Sequence, residues 1–230
     1  MTQSPTTAKD REVNRRRPTA VLTTLLFVVV VGAAVLILIQ RGDDTAGSAS
    51  STSDAVSVQV ATGFVEAYRR FDAEGAGSYL APDAELSGMD GGQEQWRAAI
   101  EWQKAHGFEL TPEPCEAGAT LSTGTIVHCP FAYQGIHSGE LGLGPYKGSL
   151  FEIVVLDGEI RKALMLFEFR VNGFSEQVWE PFAQWLTENY PDDAAVMYTD
   201  ASHDYESLTD ESIRLWGLRA REYADQAKQG

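Results

Sequence analysis

The chain has 230 residues, a formal net charge of −15 and only two cysteines and four histidines. Residues 1–43 hold six basic and three acidic side chains, a net +3, so residues 44–230 carry −18. A surface that acidic repels phosphate backbones and anionic headgroups, which argues against nucleic-acid partners. The charge keeps such a domain soluble and leaves cations and basic proteins as charge-matched partners.

Residues 1–18 are polar and basic and end at Pro18, the composition of a disordered tail. Residues 19–40, TAVLTTLLFVVVVGAAVLILIQ, contain no charge. At about 1.5 Å per residue they span roughly 33 Å as a helix, enough for one crossing of a bilayer. Lys9, Arg11, Arg15, Arg16 and Arg17 precede this run, and Arg41, Asp43 and Asp44 follow it. Basic flanks stay on the cytoplasmic side, so the expectation is a single-pass cell-membrane protein with its N-terminus inside and everything after residue 41 outside. A cleaved signal peptide is the competing reading, but the apolar run exceeds the roughly 7–15 residues of a signal core. Residues 41–54 (RGDDTAGSASSTSD) are small and polar and read as a flexible linker.

The rest, 55–230, suits one compact domain. Val56, Val60, Phe64, Ala67 and Phe71 recur at helical spacing. A short helix over 73–80, a strand over 83–87, a turn over 88–92 (GMDGG) and a helix over 93–106 follow; the last places Trp96, Ala99, Ile100 and Gln103 on one face. From residue 108 to 170 the period changes to two, as in strands. Residues 125–134 alternate Val127, Cys129, Phe131 and Tyr133, while 149–156 and 159–170 flank Asp157-Gly158, a strong hairpin signal. A hairpin turning near Ser122 sets Cys115 opposite Cys129. On the oxidising side of a membrane a disulfide between them is expected, with free thiols and metal ligation as alternatives. Their spacing and the lack of a histidine cluster give no support for zinc.

Residues 163–169 (ALMLFEF) are apolar on both faces of their strand, so something must cover the second face. The C-terminal portion is the expected cover. Val178, Phe182, Trp185 and Leu186 form a stripe over 175–190, an acidic loop spans 191–207, and Thr209 caps a last helix over 210–228 that carries Trp216. The expected fold class is therefore α+β: a transmembrane helix, a helix-wrapped antiparallel sheet over 55–170, and a helical extension over 171–230 on the same domain.

The order helix, short helix, the segment Tyr79-Leu80-Ala81-Pro82-Asp83-Ala84-Glu85-Leu86, a third helix and then a long curved sheet resembles the nuclear transport factor 2-like superfamily, with its polyketide cyclase-like and steroid isomerase-like members. The resemblance covers about 56–170. It implies a cone of bent sheet with a pocket at its wide end, and in many relatives the outer sheet face forms a homodimer. Where the catalytic subgroup carries an acidic base this chain has Gly88, and where steroid isomerases keep a tyrosine it has Phe64. Asp83 reads as a brace for the turn after Pro82.

Tyr68, Trp96, Trp102, His128, Met165 and Phe167 are the candidate lining of an apolar pocket, against the bland alternative that they are core. His106 ends a helix, where a cationic ring complements the dipole; His137 and Glu140 fall in a glycine-rich loop, and Glu152 lies on a strand. None has a partner at diagnostic spacing, and neither a nucleophile elbow nor a P-loop occurs. The expectation is a binding domain for an apolar small ligand or an envelope protein, with no catalytic residue, cofactor or metal assigned. The alternative is a cyclase, dehydratase or isomerase acting on an apolar substrate.

Overall fold

The structure, a computed structural model, describes residues 46–86, 92–199, 203 and 205–229, with backbone alone for 46–51. The expected tail (1–18), membrane helix (19–40), start of the linker (41–45) and most of the turn over 88–92 lie outside the described residues. Among those described, no helix is long and apolar enough to cross a membrane.

Helix α1 spans Ala46–Tyr68, so residues 46–54, expected as linker, are helical. Serine costs only a few tenths of a kcal/mol relative to alanine in a helix, and extending an existing helix needs no second nucleus. Asp54 Oδ1 also accepts a hydrogen bond from Thr120 Oγ1 at 3.1 Å, which ties this end to a strand. The buried stripe is Ser57, Ala61, Phe64, Val65 and Tyr68. Val56, expected on it, is 46% exposed, and Phe71 lies past the helix end at φ 56.

After α2 (Ala73–Gly77), capped by Asp72, come β1 (Leu80–Leu86), α3 (Gly92–Ala105), β2 (Glu109–Pro112), β3 (Glu116–Leu121), β4 (Gly124–Gln134), a 3-10 turn (Ser138–Leu141), β5 (Tyr146–Leu156) and β6 (Glu159–Leu166). The sheet has six strands in the order β1-β6-β5-β4-β2, with β3 also on β4. It is mixed rather than antiparallel, because β1 runs parallel to β6. Parallel pairing needs a long connection, which the chain between these two strands supplies. Asp157 and Gly158 turn the β5–β6 hairpin with φ 56 and 80, both left-handed as a two-residue primed turn requires. Register shifts interrupt the β4–β5 and β5–β6 ladders, and such bulges bend a sheet. Glu116 pairs with His128, so Cys115 faces Cys129, and the two form a disulfide.

The inner sheet face carries Val127, Cys129, Phe131, Phe151, Ile153 and Ala163 against Phe64, Trp96 and Ile100 of the helices. Asp83 sits within β1, not in a turn, and its exposed carboxylate meets Arg161 of β6 at 3.2 Å.

The C-terminal part has a π-helical turn (Ser175–Trp179), α4 (Glu180–Asn189), α5 (Pro191–Met197) and α6 (Asp210–Ala227). The expected acidic loop over 191–207 is thus partly a helix. Pro191 at its first position and Asp192 and Asp193 in its first turn suit a helix start. Asp193 also pairs with Arg219 of α6 at 2.7 Å. Thr209 caps α6, its side chain accepting from the Ser212 amide.

These helices do not cover the outer face of β6. They dock on α3 and on the 3-10 turn. The reason is Trp216: fully buried, it packs its ring against Trp102 and His106 of α3 at 5.6 and 5.9 Å and against Trp179 and Phe182 at 5.5 and 5.4 Å. Met165 and Phe167 point inward, and Leu166 is left 43% exposed.

Candidate functional site

A cavity of about 350 Å³ lies between the helices, the sheet and the C-terminal extension. Phe64 and Tyr68 of α1 and Trp96, Trp102, Gln103 and His106 of α3 form one wall. Tyr133, Phe151, Met165 and Phe167 form the sheet wall, and Phe174, Trp179 and Glu206 come from the extension. Five of the six residues expected in a pocket (Tyr68, Trp96, Trp102, Met165 and Phe167) are brought together here. His128 is not. Strand alternation turns it to the outer face, 46% exposed at the side chain, where Nε2 lies 3.4 Å from Glu152.

The polar groups are few. Tyr68 Oη donates to Gln103 Oε1 at 2.9 Å, and burial pushes its phenol pKa up. Tyr133 is raised to about 12, again by burial, although a hydrogen bond from Asn172 opposes it. His106 is not the cationic helix end that the sequence suggests. Burial lowers its pKa to about 3, so the ring is neutral. Its Nδ1 accepts from the Ile136 amide at 3.3 Å, which assigns the remaining proton to Nε2. That Nε2 and the Trp102 Nε1 are buried without a hydrogen-bond partner among the described residues.

Glu206 is the unexpected member. It reaches the cavity because the chain after α5 returns in a bridge pairing Tyr198 with Glu206, and Trp179 Nε1 fastens the same turn by donating to the His203 carbonyl at 3.0 Å. Burial raises its carboxyl pKa, an effect its backbone hydrogen bond partly offsets. Among the described residues no lysine or arginine lines the cavity. Nothing in the acidic, aperiodic run 191–207 singles Glu206 out, whereas Phe174 and Trp179 lie in an apolar helical stretch and carry an ordinary packing signal.

The remaining candidates lie elsewhere. His137 and Glu140, expected in a solvated loop, approach to 3.1 Å, and Glu140 also binds Arg221 at 2.7 Å and Lys228, pinning the 3-10 turn to α6. Those hydrogen bonds, Lys228 first, hold the Glu140 carboxyl well below the usual range. Gly88 lies outside the described residues, and Phe64 packs in the cavity wall. Among the described residues no three His, Cys, Asp or Glu side chains converge as a metal site needs. The cavity can therefore receive an apolar molecule and, among the described residues, offer it the partly buried carboxyl group of Glu206.

The chain is similar to several solved structures over about half of its length. A candidate polyketide cyclase from Xanthomonas campestris pv. campestris is 14% identical, with a TM-score of 0.40, over 52% of this chain and 95% of that one. A nuclear transport factor 2-like protein of unknown function from Cytophaga hutchinsonii is 16% identical, with a TM-score of 0.35, over 49% and 89%. A candidate hydroxylase from Streptomyces galilaeus is 17% identical, with a TM-score of 0.39, over 51% and 92%. No protein-family model and no curated protein matches the sequence.

Proposed function

We propose that the chain is a single-pass membrane protein whose domain outside the cytoplasm binds an apolar small ligand in this cavity. The observation that carries the reading is the aromatic lining, in which Phe64 of α1, Trp96 of α3 and Phe151 and Phe167 of the sheet wall meet around empty space. Pockets of this size and apolar character are the usual sites of small-molecule binding. The location rests on the uncharged run 19–40 with its basic flank, and the Cys115–Cys129 disulfide is in keeping with an oxidising compartment. A ligand bound only by the folded state raises stability by about 2.7 kcal/mol at 100 times its dissociation constant. A series of neutral apolar compounds should therefore include ones that raise the unfolding temperature of the full chain. If none does, while the chain melts cooperatively, the reading fails.

One observation favours catalysis as the second reading: His106 and Glu206, both with shifted pKa values, line the same cavity. His106 is neutral, and burial raises the Glu206 carboxyl pKa from its ordinary value, so Glu206 is the group that could exchange a proton with a bound substrate of a cyclase, dehydratase or isomerase. Glu206→Gln would then abolish turnover of a converted compound and leave its binding intact.

A further inference from the structure

The charge inventory of the cavity narrows the ligand further. Among the described residues Glu206 is the only acidic side chain lining it, and neither lysine nor arginine is part of any wall: α1 and α3 contribute aromatic rings, Gln103 and a neutral His106, and the sheet contributes aromatic rings and Met165. Arg170 stacks on the Phe169 ring at 5.7 Å but is not part of the lining. An ionised carboxylate in such a place calls for a countercharge, and no lysine or arginine among the described lining residues supplies one. An anionic ligand would worsen this by adding like charge. A ligand carrying a positive charge would correct it, and Trp102, Trp179, Phe167 and Phe174 line the same space with the electron-rich surfaces that attract cations. The −18 carried beyond residue 43 draws cations toward the domain and repels anions.

We propose that the ligand is an organic cation, an apolar body bearing an ammonium group, with its charge held between the Glu206 carboxylate and the aromatic walls. The inference rests on the reading of the cavity as a ligand site and adds the chemical class. It also gives the C-terminal extension a role, since the carboxylate and two of those rings, Phe174 and Trp179, come from residues beyond 170.

The test compares benzyltrimethylammonium with its uncharged carbon counterpart, neopentylbenzene, by equilibrium dialysis of the full chain in non-ionic micelles against empty micelles. The cation should bind at least tenfold more tightly to the wild type. In Glu206→Gln the preference should fall to within about threefold, while neopentylbenzene binds as before and so reports that the variant is folded. Equal binding of the two compounds to the wild type overturns the proposal and leaves the apolar site standing. Binding of neither overturns the site and the proposal together. If Glu206→Gln loses affinity for both compounds, the wild-type comparison decides by itself.

Discussion

His106 is where the buried chemistry of this protein becomes measurable. Its pKa is about 3 in the fold against an ordinary value of 6.5, so between these limits the unfolded chain takes up a proton that the folded chain refuses. Its contribution to stability is complete above about pH 6.5 and is lost as the pH falls toward 3, amounting to roughly 5 kcal/mol across the window at about 1.4 kcal/mol per unit. Glu206 acts in the opposite sense: its raised pKa favours the folded state as the pH falls through that value. Urea titrations from pH 7.5 to 3.5 separate the two. His106→Asn, which keeps an acceptor for the Ile136 amide, should flatten the acid loss, and Glu206→Gln should steepen it. An unchanged slope in His106→Asn would mean that the ring is not buried neutral. Legibility varied at this scale for physical reasons. Met165 and Phe167 could be placed together on one face of their strand but not assigned to the interior, because Leu164 and Leu166 make the other face apolar too, whereas alternation with Cys129 turns His128 outward. Glu206 could not be found, because its burial depends on a bridge formed by an aperiodic segment.

The elements were mostly legible where a period or a turn signal specified them. The Asp157-Gly158 hairpin and the Thr209 cap are local chemistry, and the Cys115–Cys129 pairing follows from hairpin register. Opening that bridge with Cys115→Ser and Cys129→Ser should cost roughly 3 kcal/mol in the chain-entropy model for a loop of this length, read as a lowered urea midpoint. A midpoint shift under about 1 kcal/mol would show the β3–β4 pairing to be self-sufficient. The destination of the C-terminal helices was not legible, since an apolar stripe says that a helix needs a partner without saying which. The structure moves the weight from half-buried Trp185 to fully buried Trp216. Trp216→Ala should cost about 3–5 kcal/mol, as deletion of a large core ring does, and Trp185→Ala clearly less. The reverse order would return the docking surface to the face containing Trp185.

At the scale of the whole molecule, the extension and the helix-and-sheet body share one compact unit, Thr45–Gly230, and one cavity. A ligand entering it meets residues from both, which links the stability of the extension to binding. The membrane reading makes a separate demand: protease added to intact cells should digest residues 55–230 and spare the tail, while protection until lysis would reverse the orientation. The central claim, an occupied apolar cavity, is tested most directly by native mass spectrometry of the full chain released from non-ionic micelles, wild type beside Met165→Trp, whose larger ring fills the space. The account expects one small molecule per wild-type chain and none on the folded variant. A bare wild-type chain, or the same adduct on both proteins, would contradict it.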